Sequence, residues 1–324
     1  MKKMVEEVES LVRSLAGREA GQESGSDKLA DDRESMTGKT ANDQRPTNIV
    51  LVHCWRGGMR SAGIAWLLDL YGFRVYTLIG GYKKYRNYVL QTFALPFNFK
   101  ILGGYTGSGK TELLKTLREK GEQIIDLEAI ACHKGSAFGN IGLPEQPGQE
   151  MFENILATEL RTKMTDGRAP MTASDPVNGQ QKSANPIWLE DESQRIGKVN
   201  IPLEFWKNMR SSPVYFLDIP FEERLKHVVQ EYGQLDPEKV TDAISRISQK
   251  LGNLGAKTAI LLLKEGKIAE SFAILLSYYD KFYFKALHNR EGISSLLHTV
   301  ECKSITPENA NLLDRISKYH SEEY

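Results

Sequence analysis

Phe99-Lys-Ile-Leu-Gly-Gly104-Tyr-Thr-Gly107-Ser108-Gly109-Lys110-Thr111-Glu112 is the stretch that decides the fold of most of this chain. An apolar run of strand length precedes the glycines, and helical patterning continues from Lys110 to Lys120, where Gly121 ends it. Between strand and helix, Gly104 to Thr111 fits the P-loop pattern in the context that pattern requires. The residue types follow from the physics. Small residues let backbone N–H groups converge on phosphate oxygens, and the helix N-terminus adds its positive dipole end. Gly104, Gly107, Ser108 and Gly109 form the cradle, Lys110 supplies a point charge, and Thr111 can hold a magnesium ion. A plain glycine-rich turn would not need the flanking strand and helix.

Downstream, residues 123–126 read as a strand ending in Asp126, and residues 133–149 as a loop rich in Gly and Pro. A helix over residues 150–164 and strands at 187–190 and 214–217 follow. Alternating strands and helices imply parallel pairing and an α/β fold. Residues 236–289 turn helical, with Tyr278, Tyr279, Phe282, Tyr283 and Phe284 crowded together as expected core. Upstream, Pro96 marks a boundary. Before it come a strand at 48–53, a helix at 61–71 stopped by Gly72, a strand at 73–78 and the Gly80-Gly81 turn. Val5, Val8, Val12 and Leu15 recur at helical spacing, and residues 17–46 are polar and low in large apolar side chains, which reads as a linker. The expected organisation is therefore 1–47 helix and linker, 48–95 a first small domain, 96–235 a P-loop domain and 236–324 a helical region.

Lys plus Arg and Asp plus Glu balance at 42 each among 324 residues, so a wholly basic nucleic-acid coat is excluded and any RNA contact must be a local patch. Three cysteines make no disulfide framework. No apolar run approaches the length of a membrane span, and residues 1–15 lack a signal-peptide core, so a cytoplasmic protein is expected.

The second chemical loop is Cys54-Trp-Arg56-Gly-Gly-Met-Arg60-Ser61, again between a strand and a helix. Backbone N–H groups wrapped around the sulfur, a helix dipole, and the charges of Arg56 and Arg60 all favour the thiolate, which is the nucleophile. A lone cysteine is more often structural, and Cys132 and Cys302, without such basic company, read that way.

His53-Cys-Trp-Arg-Gly-Gly-Met-Arg-Ser61 resembles a rhodanese active-site loop, and Ile79-Gly-Gly-Tyr-Lys83 the glycine pair after the next rhodanese strand. Together with Gly103 to Glu112, His133-Lys-Gly-Ser-Ala-Phe-Gly139 and Trp188-Leu-Glu-Asp-Glu-Ser-Gln-Arg-Ile-Gly197, these motifs resemble the bacterial tRNA 2-selenouridine synthases. That resemblance implies a rhodanese-like domain joined to a P-loop domain. It implies an enzyme that replaces sulfur by selenium in the wobble 2-thiouridine of tRNA. Selenophosphate would donate selenium, the thiouridine would first be geranylated from geranyl diphosphate, and no cofactor would be tightly bound. Cys54 would handle selenium, and the P-loop would hold the prenyl diphosphate. The early strands expected of a rhodanese domain, with their Asp-x-Arg segment, find no counterpart in residues 1–47. The partial domain would have an incomplete sheet with an exposed edge; a separate polypeptide supplying that half is one expectation, and a truncated or mis-called reading frame the other.

Asp126 and Glu190, at strand ends, can hold magnesium or position a nucleophile, and His133 can meet phosphate; the carboxylates read equally as acid clusters on the surface, and His133 as solvated charge. Arg224, Lys226, Arg246, Lys250, Lys257, Lys281, Lys285 and Arg290 could face tRNA or simply solvate helices. Two rival functions stay open. His53-Cys54-x5-Arg60-Ser61 has the spacing of cysteine-dependent phosphatases, which with the P-loop would give a phosphatase and kinase. A non-enzymatic nucleotide-sensing regulator with a degenerate rhodanese half-domain is the other.

Overall fold

The computed structural model describes residues 49–164 and 185–319. The helix expected at 1–15 and the linker at 17–46 lie outside them. The chain divides into two compact units after Asn87, inside the helix Gly81–Thr92 and a few residues before Pro96.

In the first unit, β1 (Ile49–Val52) pairs in parallel with β2 (Arg74–Thr77), Ile49 opposite Arg74 and Val52 opposite Thr77. The helix Met59–Leu70 connects them, as a parallel pair requires. Leu68 and Phe73 are buried, with Val50, Val52, Leu67 and Val75 packed on them. Strand alternation sends Ile49 and Leu51 the other way, where they stand 55% and 61% exposed. This is a small core under one face of a two-stranded sheet.

The second unit is built on a five-stranded parallel sheet. In chain order its strands are β3 (Phe99–Gly104), β4 (Gln123–Ile125), β5 (Ile187–Glu190), then β8 (Val214–Asp218) and β9 (Leu297–Glu301), after the short hairpin β6 (Arg195–Ile196) and β7 (Val199–Asn200). The spatial order is β4-β5-β3-β8-β9. Every residue of β3 and β5 is buried, the pattern of strands covered on both faces. Leu113, Leu114 and Leu117 of the helix Lys110–Glu119 pack there with Trp188, Tyr215 and Leu313. This is the α/β fold expected, with the P-loop leaving the central strand. A second core of Val240, Ile244, Ala256, Ala259, Phe272 and Leu276 joins the helices that follow residue 236. The helical region holds one strand that the sequence reading passed over. β9 sits at the sheet edge with only Val300 buried, so its composition is polar and gives no apolar run.

Candidate functional site

The P-loop lies at the carboxyl end of β3, where open α/β sheets bind ligands. Gly107 shows why glycine is needed: its φ is +78°, and a Cβ there would stand 2.9 Å from the Arg224 carbonyl. Lys110 Nζ donates to the Gly104 carbonyl at 3.1 Å, and Thr111 Oγ1 donates to Glu190 Oε1 at 2.9 Å. Ser108 Oγ is buried without a partner. The loop is braced from behind. Arg224 forms two bonds to Asp280, at 2.9 and 2.8 Å, and donates to the Thr106 carbonyl at 3.2 Å. Tyr283 accepts from Gly104 N at 3.2 Å and donates to Asp191 Oδ2 at 2.7 Å, while Arg290 pairs with Asp191 Oδ1. Arg224 and Arg290 are thus buried bracing groups, and their place in an RNA-facing patch is corrected: their partners, Asp280 and Asp191, neutralise them inside the fold.

A cavity of about 600 Å³ opens from the P-loop. Its lining combines Lys110, Thr111, Glu128, Lys134, Glu190 and Glu192 with Trp206, Tyr279, Phe282, Ala286 and Leu287. The aromatic run expected to be core is therefore split by helical geometry. Tyr279 and Tyr283 bond to the loops through their hydroxyls, and Phe282 is half exposed on the cavity wall. Oxygens of Glu128, Glu190 and Glu192 lie within 4.8 Å of one another. Burial, then the neighbouring carboxylates, pushes Glu128 and Glu192 above the usual carboxylate range, and Glu192 is hydrogen-bonded to Glu128. Burial also raises Glu190, with Lys110 and the Thr111 hydroxyl acting against it. These carboxylates and Thr111 are hard oxygen donors suited to Mg²⁺, and the orphaned Ser108 hydroxyl marks a place built to receive a polar ligand.

Neither Asp126 nor His133 lines that cavity, although the Asp126 charge helps to raise Glu190 and Glu128. Asp126 caps the helix Leu127–Ala131, accepting from Ala129 N at 2.8 Å. His133 is 9% exposed and packs beside Gly139 and Gly197, and burial lowers its pKa. Its neighbour Lys134 reaches the cavity and pairs with Glu231. A further hollow of about 460 Å³ lies at the start of β3 between residues 93–99 and 211–213, and Glu204 is its one charged lining residue.

The cysteine loop belongs to the first unit. Gly58 N donates to Cys54 Sγ at 3.3 Å, and Ser61 Oγ lies 3.4 Å from it. The thiol is accessible, and its pKa is lowered to about 6, first by the Ser61 hydroxyl, then by Gly58 N–H, with smaller help from the Arg56 and Ser61 backbone. The Arg56 and Arg60 side chains are exposed and are not among these causes. Ser61, named only as the motif's last residue, is the larger contributor. Behind the loop, Tyr82 N and Lys83 N donate to the Cys54 and Trp55 carbonyls, both at 2.9 Å. A Cβ at Gly81 would stand 2.4 Å from the Cys54 carbonyl, which explains the Gly80-Gly81 pair.

Residues 97–301 match the family described as "tRNA 2-selenouridine synthase AAA domain". Among curated proteins, the "tRNA 2-selenouridine synthase" of Cupriavidus pinatubonensis is 31% identical over 265 residues, 72% of this chain and 67% of that protein. That of Bdellovibrio bacteriovorus is 40% identical over 184 residues, 56% of this chain and 44% of its own. That of Nitrosomonas eutropha is 32% identical over 242 residues, 74% and 57% respectively. The chain thus spans from under half to two thirds of the length of these relatives. Among solved structures, a gluconokinase from Sinorhizobium meliloti 1021 aligns with 70% of this chain and 97% of its own at 14% identity, with a TM-score of 0.30, too low to define a shared fold.

Proposed function

This chain belongs to the tRNA 2-selenouridine synthase family, and from that premise we propose that it is a tRNA-modifying transferase that exchanges sulfur for selenium in wobble 2-thiouridine through a geranylated intermediate. The observation that carries the reading is the mixed lining of the P-loop cavity. Phosphate-binding groups of the P-loop line the same cavity as the apolar side chains of Trp206, Phe282, Ala286 and Leu287. A prenyl diphosphate has that same combination, a charged head and a hydrocarbon tail. The sulfur of thiouridine attacks the carbon bearing the diphosphate, the C–O bond breaks, and the diphosphate departs into the cradle of Gly104, Gly107, Ser108, Gly109 and Lys110. Glu128, Glu190, Glu192 and Thr111 would hold a Mg²⁺ ion, which when bound offsets the charge of the departing diphosphate. The Cys54 loop suits the selenium step. Its thiol is accessible and ionised near neutral pH, and its N–H groups favour an anion such as selenophosphate.

Lys110→Ala tests the assignment. Calorimetry is expected to show geranyl diphosphate binding lost in the variant, and in the parent to show it bound more tightly than ATP. In cells, tRNA mass spectrometry is expected to find neither geranylated nor selenated wobble uridine with Lys110→Ala, and geranylated but unselenated tRNA with Cys54→Ser. Tight ATP binding with none for geranyl diphosphate would instead support a kinase.

A further inference from the structure

The chain as a whole is neutral, but its charge is unevenly spread. Residues 49–87 hold six basic side chains, Arg56, Arg60, Arg74, Lys83, Lys84 and Arg86, against the single acid Asp69. Five of the six follow Cys54 in its loop or sit at the start of the helix Gly81–Thr92, the helix whose first N–H groups bond to that loop. Aromatic rings interleave with them. Trp55, next to the nucleophile, is 54% exposed. Its ring lies 5.9 Å from that of Tyr82, which in turn lies 5.6 Å from His53 and 5.8 Å from Tyr85. A core explanation fails for Trp55, because this unit's core is Leu68 and Phe73 with their neighbours, and no Trp is among them.

We propose that the Cys54 face of the first unit is a single-stranded RNA site, with a nucleobase stacked on Trp55 and the flanking phosphates held by Lys83 and Lys84. The physical case has three parts. Single-stranded RNA is gripped by aromatic stacking together with basic side chains along its backbone, and one helix and one loop carry both residue types here. A phosphate-bearing partner matches the charge excess, which a neutral partner would leave uncompensated. Trp55 also follows Cys54 directly in the chain, so a base stacked on it is held at the loop that carries the nucleophile. The site rests on the tRNA reading above, and it moves the RNA contact away from Arg224 and Arg290, which are buried.

The test uses the full chain and a short RNA stem-loop with 2-thiouridine in its loop, read by fluorescence anisotropy without selenium donor or diphosphate. Trp55→Ala is expected to weaken binding about ten-fold or more, with Trp55→Phe restoring most of it. The double variant Lys83→Ala/Lys84→Ala is expected to flatten the slope of log Kd against log salt by about 1.4, two phosphates at ~0.7 each. Bound RNA should slow alkylation of Cys54, and an unchanged alkylation rate without RNA verifies that each variant keeps its loop. Unchanged affinity and salt slope in these variants, with the parent still binding RNA, would overturn the site and leave the tRNA reading standing. Failure of the parent to bind RNA at all would overturn both.

Discussion

Tyr283→Phe removes one oxygen from the centre of the bracing network, and its cost can be worked from the contacts. The hydroxyl is buried, and burial together with the Asp191 carboxylate holds its pKa well above the usual phenol value, so it stays a donor at all working pH. It donates to Asp191 Oδ2 at 2.7 Å, and a bond to a charged group contributes about 1.5–3 kcal/mol. It also accepts from Gly104 N, and an orphaned buried N–H costs about 1–3 kcal/mol. The ring remains, so no cavity term is added. Allowing for overlap, a loss of roughly 2–4 kcal/mol is expected, which for a unit of this size lowers Tm by roughly 4–16 °C. Asp191→Ala should cost at least as much, because it strands Arg290, whose side chain is 1% exposed and whose Nε and Nη1 have no other partner. Thermal unfolding followed by circular dichroism, with and without diphosphate, reads both. A Tyr283→Phe Tm within about 2 °C of the parent would refute the claim that this hydroxyl holds the P-loop in place.

Two further outcomes follow from the first unit. The rate of Cys54 alkylation should rise as pH climbs through about 6 and level off above it, because the thiolate is the reacting form. Ser61→Ala removes the largest contribution and should move that midpoint toward the ordinary thiol value, whereas Arg60→Ala should leave it in place; the reverse order would contradict the assignment. Hydrogen exchange should find the Ile49–Val52 amides exchanging early and the Phe99–Gly104 amides late. β1 pairs with one strand among the described residues, and β3 lies buried between two. Equal strong protection of both would show that β1 is stabilised from elsewhere.

Both chemical loops were legible because their signals are local. Each sits between an apolar run and a helix, so a dozen consecutive residues declare the phosphate cradle and another dozen the nucleophile. What escaped is non-local. Glu128 matters because it meets Glu192, sixty-four positions away, and Tyr283 because it touches Gly104, so neither role leaves a mark on neighbouring sequence. Arg224 and Arg290 look like solvated helix charges until Asp280 and Asp191 are placed beside them. β9 escaped for a different reason: an edge strand needs little apolar character, and propensity gives it no voice.

The P-loop cavity poses an electrostatic problem that bears on the proposed chemistry. Its cations are largely occupied: Lys110 bonds to the Gly104 carbonyl, Lys134 pairs with Glu231, and Arg210 donates to the Ala286 carbonyl. Arg290 offsets Asp191 from behind, which leaves Glu128, Glu190 and Glu192 facing the cradle. Three carboxylates whose oxygens lie within 4.8 Å of one another repel an incoming diphosphate unless something positive stands between them. Burial and the neighbouring carboxylates raise Glu128 to about 10 and Glu192 to about 8, so protons supply that charge on these two, while burial with the Asp126 charge raises Glu190. A divalent cation arriving with the diphosphate would take the place of those protons, so diphosphate affinity should fall sharply on chelation of Mg²⁺, and more steeply in the parent than in Glu190→Gln. Calorimetry with and without Mg²⁺ checks this. Diphosphate binding that is indifferent to the metal would mean that Lys110 and the loop N–H groups outweigh the carboxylates unaided.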